Sequence, residues 1–325
     1  MGNKAFLTTD IEVVLPAYLY LEYLPEQIDS IFNQTIRPKR LLLRHDGYNT
    51  EFTELSRRLK TKYGSWLKLV DSSRRLGFVN SFGFLLHQTT AEYIALSDQD
   101  DIWIRTKLAD SIELLKLNEA LYGQNIPILV HTDLIVTDQN LNIMNRSFVS
   151  SQGNSIEAVD IDTLLWHNCV TGCTILCNRS LLKRAIPFPA EAVAHDWWMA
   201  LVAYKFGKIA FLNTKTVKYR QHGHNTIGFG GSIRHKTVAV ILDPIESWRS
   251  ALRSLERAFH QHIRFSMIYD GVVNPIFTLL ELGRLLRLKK YLQNRDLYSF
   301  PHKQDAVRRI AFTVIFILLP RLKRI

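Results

Sequence analysis

The run Tyr93-Ile-Ala-Leu-Ser-Asp-Gln-Asp-Asp-Ile-Trp103 constrains this chain more than any other segment, because an apolar, β-prone stretch stops at three carboxylates, Asp98, Asp100 and Asp101. Carboxylates this close repel one another unless a counter-charge joins them. At the carboxyl end of a strand a hard divalent cation meets that need, and Mg²⁺ takes one or two carboxylates and completes its shell with substrate phosphates. The segment therefore points to a nucleotide-diphosphate substrate. The competing structural reading is an acidic turn capping a helix over residues 106–117.

The surroundings favour the first reading. Ile11 to Tyr18 reads as a buried strand entering a loop, and Leu24 to Gln34 carries helical spacing. Arg40 to Gly47 is a second strand ending in Asp46-Gly47, where glycine permits a tight turn. A third strand is expected at Trp66 to Val70 and a helix over Gly77 to Thr89, followed by the strand that carries the acids. Strands alternating with helices predict an α/β parallel sheet with functional loops at its carboxyl edge, where open α/β sheets bind ligands. Asp46 and the Asp98 group would share that edge.

These residues, in this order, resemble the family 2 glycosyltransferases of the GT-A fold, and among them the bacterial rhamnosyltransferase-like group. The resemblance runs from about Ile11 to about Gly228. It rests on Leu15-Pro16-Ala17-Tyr18, the Pro25 to Thr35 helix, His45-Asp46-Gly47, Ser97 to Trp103, Thr171-Gly172-Cys173, His195-Asp196-Trp197-Trp198, and Tyr219-Arg-Gln-His222 followed by Asn225. Single motifs of this kind are weak; several in order are specific.

The resemblance implies roles. Pro16, Tyr18, Asp46, Arg75, Asp98 and Arg220 form the donor-binding set, with Asp46 accepting a hydrogen bond from the imide N–H of a pyrimidine. Many relatives have asparagine before the leucine-glycine pair; here Arg75-Leu76-Gly77 stands, and Arg75 is assigned to the diphosphate. Asp98 and Asp100 match the two acids of the DxD element, extended by Asp101. Asp100 is the principal metal ligand, while Asp98 reaches the ribose, or the metal through water. His222 matches a late metal-binding histidine, whose imidazole suits Mn²⁺ better than Mg²⁺, with a structural histidine or a diphosphate donor as alternatives. Arg220 and His224 would stabilise the departing phosphates.

Asp196 matches the general base. In an inverting transfer it takes the proton from an acceptor hydroxyl attacking the anomeric carbon opposite the diphosphate, so no covalent nucleophile is required. The same residue suits the N-cap of a helix over Trp197 to Phe206. His195 would position it. Thr171 and Gly172 read as an acceptor-side loop, and Asp133, at the end of another apolar strand, is a further acceptor-site candidate. Trp197 and Trp198 divide between core packing and stacking on a sugar ring.

Cys169, Cys173 and Cys177 recur every four residues, but three thiols in an apolar stretch fall short of a structural zinc site and read as buried free thiols of a reducing cytoplasm. The opening residues suggest neither a secretory signal nor a myristoylation motif. Charge is uneven. Residues 1–231 hold 24 basic and 23 acidic side chains, a balance of +1, whereas residues 232–325 hold 17 and 7, a balance of +10. A boundary is therefore expected near the glycine-rich Gly228 to Ser232, with a GT-A domain over 1–231 and a basic helical region over 232–325.

Helices are expected at Trp248 to Phe265 and Ile276 to Tyr291. Ile310 to Leu319 forms a short apolar run between Arg308-Arg309 and Arg321 to Arg324. Ten such residues cannot span a bilayer, which takes about 20. They suit an interfacial anchor on an anionic membrane, with packing on the domain or a partner as the alternative. A nucleic-acid partner is not expected, because the basic residues interleave with long aliphatics and no recognition motif appears. The expected activity is metal-dependent inverting glycosyl transfer with Mn²⁺ or Mg²⁺, dTDP-L-rhamnose being the best single donor and a UDP-hexose the runner-up. The acceptor would be a lipid-linked or cell-surface glycan at the cytoplasmic face of the bacterial membrane. A catalytically silent binding protein of the same fold is the alternative from another class.

Overall fold

The computed structural model describes residues 7–71, 73–152, 164–223, 244–269, 275–293, 313, 314, 316, 317 and 321. Among them the chain forms two compact units. The first comprises Met1–Glu157, Val170–Phe188 and Ala194–Phe229; the second comprises Ala158–Cys169, Pro189–Val193 and Gly230–Ile325. The second unit is thus discontinuous, taking two short segments from within the span expected to be one domain.

The first unit is built on a nine-stranded sheet. Its strands are β1 (Leu7–Ala17), β2 (Ile36–His45), β3 (Leu67–Leu69), β4 (Tyr93–Leu96), β5 (Ile102–Trp103), β6 (Ile128–Thr137), β7 (Ile143–Asn145), β8 (Leu176–Asn178) and β9 (Lys208–Arg220). They lie in the order β3-β2-β1-β4-β8-β6-β9-β5, with β7 pairing β6. The half β3-β2-β1-β4 is parallel, as expected. Beyond β4 the sheet becomes mixed: β8 runs antiparallel to both β4 and β6, β9 is parallel to β6, and β5 is antiparallel to β9. The fully parallel expectation fails there because β8 is only three residues long, too short to read as a strand beside its cysteines.

Leu41, Leu42 and Leu43 are all completely buried, as are Val13, Val14 and Leu15. Consecutive buried positions on central parallel strands mean that both faces are covered. The covering helices are α1 (Leu24–Phe32), α2 (Thr50–Tyr63), α3 (Phe78–His87), α4 (Lys107–Tyr122), α5 (Phe148–Gln152), α6 (Arg179–Ala185) and α7 (His195–Phe206). Their starts follow local chemistry. Pro25 opens α1, and the Asn49 and Asn178 side chains accept from Phe52 N and Leu181 N to begin α2 and α6.

The second unit contains α8 (Pro244–Tyr269), α9 (Pro275–Thr278) and α10 (Arg284–Gln293). The single helix expected over 276–291 is therefore two, separated by a turn at Gly283. Phe277 is the unit's centre, stacked on Trp166 at 4.3 Å and on His262 at 4.1 Å. Most of the 310–319 run lies outside the described residues. Phe316 belongs to it, yet is completely buried with its ring edge-on to Trp166, so this residue packs within the unit and is not an exposed anchor. No helix among the described residues is long and apolar enough to cross a membrane. His224, Asn225 and the glycine-rich boundary also lie outside the described residues.

Candidate active site

Three strand ends converge at the carboxyl edge of the parallel half. Asp46 N donates to Ala17 O at 2.8 Å and Ser97 N to Val14 O at 3.0 Å, so the segments after β1, β2 and β4 are stitched side by side. Pro16 is half-buried within β1, opposite Arg44 of β2, and Tyr18 leaves the strand into solvent.

Asp46 is turned inward. Its Oδ1 accepts from Arg44 Nη1 (2.8 Å), Leu76 N (2.7 Å) and Ser81 Oγ (2.9 Å), and its Oδ2 from Gly77 N (2.8 Å). Burial alone would raise its pKa; the Leu76 N–H, Arg44, Ser81 and the Gly77 N–H outweigh burial and hold the carboxyl below its usual range. Oδ1 thus takes three donors and Oδ2 one, so of the two lone pairs on Oδ2 one is left. Asp46 therefore shapes the loop that begins α3 before it can touch any ligand. Beside it, Arg75 is exposed with its guanidinium 4.6 Å from the Tyr18 ring centre, and Gly47 (φ 103) turns the chain against Arg75.

The acidic group is treated differently. Asp101 is completely buried, and its Oδ2 has no hydrogen-bond donor among the described residues. Burial, then the charges of Asp100 and Asp98, push its pKa far up. Asp98 is pushed up to about 8 by burial, then by Asp100 and Asp196. Asp196 thus lies close enough for its charge to be felt at the acidic group. Asp100 Oδ2 lies 2.9 Å from His222 Nε2, a direct hydrogen-bond contact.

One oxygen each of Asp98 and Asp101 lies within 4.8 Å of the Cys173 sulfur. Burial, followed by the two carboxylates, raises the Cys173 pKa, keeping it a thiol and a poor ligand. Among the described residues the compact candidate cluster is Asp98, Asp101 and Cys173, while Asp100 and His222 offer an oxygen and an imidazole at 2.9 Å; such oxygen and imidazole donors suit Mn²⁺ or Mg²⁺, and the undercompensated carboxylates fit such an ion.

The acidic loop is held by residues that the sequence did not single out. Gln27, buried in α1, donates its amide to Asp101 O at 2.7 Å and accepts from the Trp103 indole at 3.1 Å. Gln99, between the acids, accepts from Tyr18 N at 2.6 Å and donates to Tyr18 O and Leu19 O, both at 3.0 Å, and to Tyr20 O at 3.4 Å. The loop it grips is strained, with Leu19 at φ 47 and Tyr20 at φ 40. Lys107 is buried beneath the group, 4.9 Å from the Trp103 ring centre and donating to Thr174 O at 3.2 Å; burial lowers its pKa to about 8.

Arg220 corrects an expectation. It is 3% exposed, and Nε, Nη1 and Nη2 donate to Asp100 O, Gln139 O and Glu26 Oε2 at 2.9, 2.7 and 2.6 Å, while its own N–H donates to an Asp101 oxygen. Its guanidinium is committed to these three acceptors and shapes the acidic loop. Trp197 and Trp198 are also corrected. They are 7% and 0% exposed, and the Trp198 indole donates to Ala185 O at 3.1 Å, so both are core and neither face is open to a sugar. Asp133 sits at a register shift between β6 and β9 and accepts from Val149 N at 3.1 Å, anchoring α5.

Asp196 lies in the first turn of α7, which starts two residues earlier than expected, with Ala194 and not Asp196 as its N-cap. Its Oδ2 accepts from Gly172 N at 3.0 Å and its Oδ1 from Trp197 N at 2.7 Å. Thr171, half-buried, closes the same turn by accepting from Thr174 N at 3.0 Å. Gly172 is required by space: a Cβ there would meet His195 Nε2 at 2.8 Å and Asp196 Oδ2 at 3.3 Å. His195 is completely buried, stacked on Phe82 at 3.7 Å, and burial lowers its pKa to about 3, so it stays neutral and acts as packing behind the carboxylate.

The comparisons with known proteins agree with this geometry. The glycosyl transferase family 2 model matches residues 12–184. The chain is 26% identical over 218 residues to the Escherichia coli UDP-Glc:alpha-D-GlcNAc-diphosphoundecaprenol beta-1,3-glucosyltransferase WfgD, covering 65% of this chain and 76% of that protein. It is 22% identical over 230 residues to the Shigella flexneri dTDP-rhamnosyl transferase RfbG, covering 66% and 73%. Among solved structures, S. aureus TarS superposes with a TM-score of 0.51 at 16% identity over 89% of this chain, which spans about half of it (54%). The Pyrobaculum calidifontis mannosyltransferase PcManGT, in complex with GDP-Man and Mn²⁺, gives 0.51 at 15% identity over 95% of this chain and 85% of its own. With the strand order and the family match both in place, the chain belongs to glycosyl transferase family 2 and has the GT-A fold.

Proposed function

We propose that this protein is a metal-dependent, inverting glycosyltransferase that moves a sugar from a pyrimidine nucleotide donor to a lipid-linked glycan at an anionic membrane surface. The observation that carries this is the pairing at one sheet edge of an undercompensated acidic group with a separate carboxylate, Asp196, whose charge reaches Asp98. Asp98, Asp100 and His222 would hold Mn²⁺ or Mg²⁺, which when bound neutralises charge on the departing diphosphate.

The chain's own residues do the rest. Tyr18 and Arg75 offer a ring and a guanidinium to the base and diphosphate, and the remaining Oδ2 position of Asp46 can accept an imide N–H. The acceptor hydroxyl approaches the anomeric carbon from the side opposite the diphosphate. Asp196, aimed by the Gly172 N–H, takes its proton as the new C–O bond forms and the old one breaks. Thr171 and Gly172 border the acceptor path.

A dTDP-L-rhamnose donor is favoured by the resemblance in the Ser97 to Trp103, His195 to Trp198 and Tyr219 to His222 segments. A UDP-hexose is the second reading, supported by the similarity to WfgD. A melting-temperature screen of nucleotide sugars with and without Mn²⁺ separates them, because a ligand that binds only the folded state stabilises it by its concentration over its affinity. Asp196→Asn should keep the donor and metal shift yet lose about 10²- to 10⁴-fold in transfer rate. Transfer at the parent rate in that variant would remove Asp196 from the mechanism.

A further inference from the structure

Helix α10 is inside out. Arg287 is completely buried, its Nε donating to Leu279 O at 2.9 Å, Nη1 to Phe316 O at 2.8 Å, and Nη2 to Leu280 O at 3.0 Å and Leu282 O at 2.9 Å. Meanwhile Leu285 is 86% exposed, Leu292 60% and Leu288 36%. At 3.6 residues per turn those three leucines form one stripe, and Arg287 points to the opposite side. An ordinary surface helix does the reverse. The rotation is fixed by the arginine: turning the leucines inward would strip a buried guanidinium of four carbonyl partners, a large cost for a charge in the interior.

Exposed cations flank the stripe at Arg284 and Lys289, within a region whose balance is 17 basic to 7 acidic residues. The stripe has no aromatic residue, whereas protein interfaces favour aromatics at their centre and are depleted in lysine. Leucines bordered by long cationic side chains instead match a lipid boundary, where the charged heads rise to the phosphates and the leucines enter the acyl edge. A ten-residue helix is about 15 Å long, half a bilayer core, so it would lie in the plane.

We propose that the Leu285, Leu288 and Leu292 stripe of α10 docks on an anionic lipid surface, with Arg284 and Lys289 at headgroup level. This rests on the lipid-linked acceptor reading for its purpose, though not for its geometry. The test is cosedimentation of the full chain with phosphatidylcholine vesicles, with and without phosphatidylglycerol. The parent should bind the anionic vesicles, and Leu285→Asp/Leu292→Asp should lower partitioning at least about tenfold. Arg284→Gln/Lys289→Gln should lower it about fivefold per charge at low salt and flatten the salt dependence. Leu285→Trp should add a fluorescence component, relative to the parent, that shifts to the blue on anionic vesicles. If the aspartates unfold the helix, Leu285→Gln/Leu292→Gln serves with the same expectation.

Failure of the parent to bind, unchanged binding by the leucine variants, or no blue shift in the emission added by Leu285→Trp overturns the proposal. So does conversion of an oligomer to a monomer by Leu285→Asp/Leu292→Asp with vesicle binding intact, which would make the stripe a protein interface. Hydrolysis of soluble nucleotide sugar, measured on the same proteins, reads the enzymatic proposal separately: a parent that docks through α10 yet cleaves no donor refutes the activity and leaves the docking standing.

Discussion

Asp46 and the Asp98 to Asp101 group occupy neighbouring strand ends of one sheet, and the protein treats them in opposite ways. Around Asp46 it supplies a guanidinium, a hydroxyl and two main-chain N–H groups, and the carboxyl titrates below its usual range. Around Asp101 it leaves one oxygen buried without a donor among the described residues, and both Asp98 and Asp101 titrate upward. Unequal compensation separates a carboxylate whose charge is met within the fold from carboxylates whose charge is not.

The sharpest way to break the comparison is to cut the second group. Asp100→Ala should abolish Mn²⁺-dependent donor stabilisation and transfer, while the chelated protein melts no lower than the parent, because a repulsive charge has gone. Turnover that persists in chelator would end the contrast. Asp46→Asn should do the reverse, leaving a buried Arg44 without its counter-charge and costing about 3–5 kcal/mol in urea unfolding.

The pH dependence follows with opposite signs. Because the folded-state pKa of Asp46 is depressed, its stabilisation is present above the ordinary value of 3.8 and is lost as pH falls through the folded pKa; Asp46→Asn should flatten that acid limb. The raised pKa values of Asp98 and Asp101 act the other way in chelator, eroding stability as pH rises above 3.8.

Gly172→Ala comes next. The added methyl displaces His195 or Asp196, and misplacing a reacting group by about 1 Å can cost about 10²-fold in rate, so kcat should fall by that order with donor affinity kept. The smallest effect is expected for Gln99→Met, which frees the Tyr18 to Tyr20 loop. The donor KM should rise about tenfold, roughly 1.4 kcal/mol, with kcat changed little. A fall in kcat with KM unchanged would show that Gln99 acts on the acids and not on the loop.

These contrasts explain what the sequence disclosed. Apolar runs stopping at Asp46 and Asp98 were legible because strand burial and its end are local patterns. The mixed half of the sheet was not, since three-residue strands carry no periodicity. The charge of Arg220 was legible, but not the Asp100, Gln139 and Glu26 acceptors that use it, which lie about 80 to 190 residues away. Trp197 and Trp198 looked available because a helical stretch buried on nearly every side shows no polar face to say which side is open. The burial of Arg287 was not legible for a kindred reason: the carbonyls that make it tolerable come from the turn before α10 and from Phe316, and no local pattern in α10 announces them.

The Gln99 amide joins two loops about 80 residues apart, one bearing Asp100 and the other the left-handed Leu19 and Tyr20. Residues held in such backbone regions cost roughly 1–3 kcal/mol each, and the Gln99 contacts help hold the loop in that shape. Linkage then acts in both directions by one and the same factor. If an ion at Asp100 and a nucleotide at Tyr18 both favour the clamped form, as the proposed function requires, each would tighten the other, whichever arrives first.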